Sequence, residues 1–114
     1  MNFYDLPGYI NDAKCATADK AYHATVEIMA EAQPLITAAE VRIKYLADSV
    51  RVWAESIKEY GLTEETIYDA GYLNSDNVEL QRIFDILVEV NNFKKLIASN
   101  IGYQKHMQQL QKTV

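Results

Sequence analysis

Eight apolar residues between positions 36 and 60 constrain this chain more than anything else in it. Ile36, Ala39, Ile43, Leu46, Val50, Trp53, Ile57 and Tyr60 recur at steps of three and four. An α-helix turns that spacing into one narrow stripe. Gly61 follows directly and suits a helix end, because glycine takes up the left-handed backbone without a steric penalty. A rod with one greasy stripe must bury it against other rods. The expected fold is therefore an all-α bundle with residues 36–60 at its centre.

The rest of the chain reads as further helices. Asp5 and Pro7 form a start signal, a cap followed by a proline in the first turn. A first helix over residues 9–33 carries Ile10, Ala13, Thr17, Ala21, Ala24, Ile28 and Ala32 on one face, widened by Tyr22, Val26 and Met29. Pro34 leaves two readings open. It removes a backbone donor and disfavours helix at Gln33, which makes residues 35–60 a separate second helix. Yet no turn-forming residue stands beside it, and the apolar stripe keeps phase across it, which fits a kinked continuous helix. Continuity from residue 9 would give a rod of roughly 75 Å, implying an extended or oligomeric assembly. Thr63 is the expected cap of a short helix over 64–70, closed by Gly71. Ser75 or Asp76 is the expected cap of the last long helix, 76–111. Its stripe is Leu80, Ile83, Leu87, Val90, Ile97 and Ile101, broadened by Phe84, Ile86 and Phe93. Asn91 and Lys94 interrupt that face. Asn100 and Gly102 weaken the helix, and the polar stretch beyond them is expected either to fray or to pack only through Met107 and Leu110.

The chain of 114 residues suits a single domain, 1–114, and its four glycines and two prolines favour helices over a turn-rich β fold. Its net charge is −5, which makes free nucleic acid a poor partner, since such binding rests on neutralising phosphates. Residues 61–91 hold seven acids against Arg82 alone, a net −6, whereas residues 92–114 hold four lysines and no acid. Acids early and bases late in a helix suit its dipole; a basic end meeting something acidic is the other reading. Cys15 is the only cysteine, so no internal disulfide forms and a reducing compartment fits. The N-terminus has no basic segment followed by an apolar run, and no run is long enough to span a membrane. A cytoplasmic, membrane-free protein is expected.

Little in the sequence supports catalysis. Cys15, Asp19, His23, Glu27 and Glu31 recur every four residues, a spacing at which helical neighbours share a ligand. Most of these fall on the polar face, however, and di-iron bundles need inward Glu-x-x-His pairs on facing helices. No such pair occurs. Paired acidic clusters of the nucleotide-pyrophosphatase type are incomplete, and no Gly-rich phosphate loop is present. His106 lies in the polar terminal segment and reads as solvated. No residue is assigned a catalytic, metal-binding or cofactor-binding role, and a non-enzymatic protein is expected.

Residues 63–84 have the outline of a helix-turn-helix, with Gly71 in the turn and Ser75 capping the second helix. The would-be recognition stretch 76–82 is acidic, where phosphate contacts call for Lys and Arg. A DNA-binding regulator is one alternative function; an acidic mimic of nucleic acid, blocking a nucleic-acid-binding protein, is another.

The preferred reading starts on the back of the central helix. Val41, Tyr45 and Val52 lie opposite the main stripe. They either complete the chain's own bundle or form a second seam for another chain. Eight tyrosines are many for this length, and tyrosine is favoured at protein contacts. Val41, Tyr45, Val52, Glu64, Glu65, Tyr68, Asp69 and Tyr72 are the expected partner-binding residues. The expected function is a protein-protein interaction module that also self-associates: an adaptor, inhibitor or structural accessory, a class that includes phage and mobile-element proteins.

Overall fold

The structure, a computed structural model, describes residues 2–61 and 67–112, and of residues 67–69 the backbone. Among the described residues every regular element is helical, as the periodicity requires. A 3-10 turn at Phe3–Asp5 leads into α1 (Leu6–Ala18), α2 (Tyr22–Tyr60), α3 (Ile67–Ala98) and α4 (Ile101–Lys112). By compactness the chain divides into two units. One comprises residues 1–37 and 86–114, the other residues 38–85.

The helix class matches expectation; the breaks fall elsewhere. The helix expected over 9–33 is interrupted at residues 19–21. Lys20 takes the left-handed conformation with φ 62°. The Ala21 N–H bonds to the Ala16 carbonyl at 2.7 Å, and that of Lys20 to Thr17 at 3.1 Å. These paired bonds satisfy carbonyls that a helix end leaves open. The turn brings Thr17 of α1 against Thr25 of α2, both buried, with their hydroxyls 2.9 Å apart and Thr17 also donating to the Ala13 carbonyl at 2.9 Å. Folding back here buries more apolar surface than a straight helix would, and that outweighs the strain of a non-glycine left-handed residue.

At Pro34 the continuous reading holds, although continuity begins at Tyr22 and not at residue 9. Gln33 and Pro34 are exposed, while Ala32 and Ile36 on the inner side are buried. The proline ring thus meets solvent, and packing on the opposite face holds the helix together through the missing hydrogen bond. Gly71, Asn74, Ser75 and Asp76, expected to lie in and around a turn, are instead inside α3. The short helix expected over 64–70 survives only as the start of α3: its residues 64–66, like the cap Thr63, lie outside the described residues. The single helix expected over 76–111 breaks at Ser99 and Asn100. Asn100 caps α4, its side-chain oxygen accepting the Tyr103 N–H at 2.8 Å. Asp5 occupies the cap position of α1 but makes no side-chain cap bond.

The first unit has the larger core. Leu6, Ile10 and Ala13 of α1, Ala32 and Ile36 of α2, and Val90 and Phe93 of α3 form one cluster, with Phe3, Ile28, Met29, Leu35, Ile86, Leu87 and Ile97 packed around it. Each large side chain so buried contributes about 1.5–3 kcal/mol. Phe93 is fully buried and forms the heart of α3's inner face, where the sequence had it as a flank. Ile101, expected in the stripe, and Phe84, expected to broaden it, are exposed, because the inner face runs through Ile83, Leu87, Val90 and Ile97. Lys94 is half-buried, as a stem that packs while its head reaches water.

Tyr22 closes this unit against α4. Its ring stands edge-on to Tyr103 at 6.2 Å and tilted against His106 at 6.1 Å. Tyr103 is buried, and burial pushes its phenol above the ordinary value. His106, expected to be solvated, is half-buried with a shielded Nε2, because α4 lies back on the start of α2. A Cβ at Gly102 would collide with the Tyr22 hydroxyl and lie 2.7 Å from its Cζ.

In the second unit the expected stripe is the inner face of α2. Ala39 and Leu46 are buried, as is Ile83 of α3, and Ile43, Val50, Trp53 and Ile57 are half-buried. Tyr60, the last residue of the stripe, is exposed. Gly61 ends α2 with φ 72° and donates to the Ile57 carbonyl at 2.8 Å, the glycine-terminated ending the sequence called for.

Three stability measurements follow from these backbone details. Gly71→Ala, in open space within α3, is expected to stabilise by about 0.4–1 kcal/mol through the unfolded chain. Gly102→Ala is expected to destabilise by about 1–3 kcal/mol through overpacking on Tyr22. Thermal melts moving in the same direction would remove the Tyr22 contact. Lys20→Gly is expected to raise stability by about 1 kcal/mol, relieving the left-handed strain; a lower melting temperature would mean that the lysine side chain, and not the backbone, matters there.

Candidate protein-binding face of α2

The second unit joins α2 to α3 by polar bonds as much as by apolar burial. The Arg42 guanidinium grips Glu79 with two parallel bonds, Nε to Oε1 at 2.9 Å and Nη2 to Oε2 at 3.0 Å. This fork geometry is the strongest form such a pair takes. Hydrogen bonding by Glu79 raises the Arg42 pKa further above its ordinary value. One turn along, a single carboxylate oxygen of Asp76 accepts from the Ser49 hydroxyl at 2.6 Å and from the Trp53 indole N–H at 3.1 Å. The Trp53 ring in turn stacks on Tyr72, with centroids 5.4 Å apart and planes 24° from parallel.

These bonds fix what lies on the outside of α2. The Arg42 guanidinium sits 5.1 Å from the centroid of the Tyr45 ring, close enough for a cation–π attraction. Tyr45 is thereby steadied while 62 % exposed, between Val41 at 65 % and Val52 at 51 %. Steps of four and seven put these three on one side of the helix. Beside them runs a shallow groove of about 280 Å³ lined by Tyr45, Asp48, Ser49, Val52 and Trp53. Asp48 and Glu55 flank the stripe, both close to Arg51, at 3.8 and 3.5 Å. Exposed pairs of this kind add little stability, and with two acids to one base they leave the flank mildly acidic.

The expected partner-binding residues therefore separate into three groups. Val41, Tyr45 and Val52 share the outer side of α2. Tyr72 is exposed and linked to that side through its stack on Trp53. Glu64 and Glu65 lie outside the described residues, and of Tyr68 and Asp69 only the backbone, within α3, is described. Arg42, Trp53, Asp76 and Glu79 were not expected to matter here. Arg42 and Glu79 are 37 positions apart, so no local pattern signals their pairing. Asp76 read as a helix cap because acids after serine usually are.

Other candidate sites fare differently. The four-residue ladder from Cys15 to Glu31 is cut by the turn at residues 19–21. Among the described residues no group of three or more His, Cys, Asp and Glu is placed to hold a metal ion. His23 bonds to Glu27 at 3.0 Å on an exposed surface. The turn required by a helix-turn-helix over 63–84 does not exist at 71–75, where α3 is continuous. Among the described residues no helix is long and apolar enough to cross a membrane. Comparison with protein-family models, curated proteins and solved structures finds no match.

The polar clasp can be tested directly. Asp76→Ala leaves the Trp53 N–H and the Ser49 hydroxyl without their acceptor, which is expected to cost about 1–3 kcal/mol. Trp53 is the only tryptophan, so urea unfolding followed by its emission reads the site itself. An unchanged midpoint together with unchanged emission would rule the clasp out.

Proposed function

We propose that this chain is a non-enzymatic interaction module that docks a protein, its own copy included, on the outer stripe of α2. An adaptor, inhibitor or structural accessory works in this way, by contact alone. The observation that carries the reading is the run of Val41, Tyr45 and Val52, all more than half exposed on one side of a helix whose opposite side is already buried. Apolar groups scattered singly over a surface need no explanation, but an aligned run beside an aromatic-lined groove is typical of a contact surface. Tyr45 has the features of an anchor: a large amphipathic ring, held by Arg42, that loses little freedom on binding.

The acidic stretch beginning at Gly61 supports solubility and partner choice more than it supports DNA binding. Phosphate contacts there would have to overcome six acids with Arg82 as the one base in residues 61–85.

Tyr45→Glu tests the proposal. A charge in the middle of the stripe is expected to lower the association state while leaving the far-ultraviolet helical signal unchanged. Light scattering across a concentration series measures the first and circular dichroism the second. An association state that Tyr45→Glu does not alter refutes the role of the stripe.

A further inference from the structure

We infer that the chain seated on the α2 stripe is α2 of a second copy, running antiparallel about a two-fold axis between Asp48 and Ser49. The inference rests on the interaction reading above and adds the partner and its orientation. Three observations carry it.

The first is the distribution of charge. Residues 38–60 contain four acids and four bases, whereas residues 61–85 contain six acids and Arg82 alone. A strongly basic partner would be drawn to the second stretch. Residues 38–60 are neutral in sum, and an apolar stripe on a neutral stretch suits a copy of itself.

The second is the order of residues along the stripe. Antiparallel pairing about the stated axis sets Tyr45 across from Val52, so that each Tyr45 ring enters the other copy's groove beside Val52 and Trp53. The same alignment sets Glu55 across from Arg42, and it does so twice by symmetry. Parallel pairing would instead set Glu55 and Glu59 each against its own copy, and like charges in a seam repel.

The third is the centre. Asp48 lies 3.8 Å from Arg51 within one chain, so the axis gathers two acids and two bases, a neutral cluster. The apolar stripe from Val41 to Val52 is only about 16 Å long. The resulting dimer is small and its population depends on concentration.

Disulfide trapping tests the orientation in a Cys15→Ser background, which removes the native thiol. Asp48→Cys places its two copies next to the axis. Val41→Cys places them about 22 Å apart along the helices, far beyond the Cα separation of about 4.4–6.8 Å that a disulfide spans. Under mild oxidation Asp48→Cys is expected to give a covalent dimer and Val41→Cys none. Cross-linking of Val41→Cys as readily as Asp48→Cys overturns the antiparallel arrangement. Failure of both, while the wild-type chain still shows a dimer mass, moves self-association to another face and overturns this inference alone. A wild-type mass of one chain at every concentration overturns the pairing together with self-association; docking of a different protein on the stripe would then stand or fall separately.

Discussion

Sideways packing that outweighs local backbone preference is what the whole structure depends on. α2 runs 39 residues through a proline, and neither propensity nor hydrogen bonding alone explains that. Up to Thr37 the helix is held by Ala32 and Ile36 in the core with α1 and α3. From Ala38 onward it is held by Leu46 and by the polar bonds to Asp76 and Glu79. A proline in a helix interior costs on the order of 3 kcal/mol. Burying two or three large apolar side chains offsets that, provided the ring faces water, as it does at Pro34.

The same competition explains which parts of the fold were legible in the sequence. The stripe from Ile36 to Ile57 was legible because it is long and strictly periodic, and burial follows it residue by residue. The ending at Gly61 was legible because glycine is the residue such an ending prefers. The break at residues 19–21 was hidden because Lys20 performs glycine's task; nothing near it advertises a turn. Gly71 and Ser75 misled in the opposite sense. They carry the composition of a turn, but α3 runs through both without a break. At Asn100 the local signal does more than weaken a helix: a side chain that caps a helix start can also end the helix before it.

The candidate site was legible only where it depends on position along one helix. Val41, Tyr45 and Val52 could be placed opposite the main stripe by counting residues. What steadies them could not. The bond from Arg42 to Glu79 and the shared carboxylate of Asp76 link residues 37, 27 and 23 positions apart. Such pairs are set by the fold, and a single sequence carries no trace of them. Tyr45 illustrates the consequence: its position and its nearness to Arg42, three residues back, follow from helical periodicity, and the bond that ties Arg42 to Glu79 is a fact of tertiary structure.

The clasp also bears on why the outer stripe remains apolar at all. The second unit pairs two helices over few fully buried side chains, Ala39, Leu46 and Ile83 among the described residues. A two-helix contact of that size is a weak core, and charge-assisted bonds to Glu79 and Asp76 make up part of the difference. Polar bonds tolerate exposure, so they leave Val41, Tyr45 and Val52 uncommitted. A polar residue at any of the three would keep the clasp intact and make the surface more soluble. Three aligned apolar side chains on a neutral stretch, in a chain whose neighbouring stretch is strongly acidic, are what the proposed docking role calls for. In that role the acids would keep the free chain dispersed, and the stripe would supply the attraction at short range.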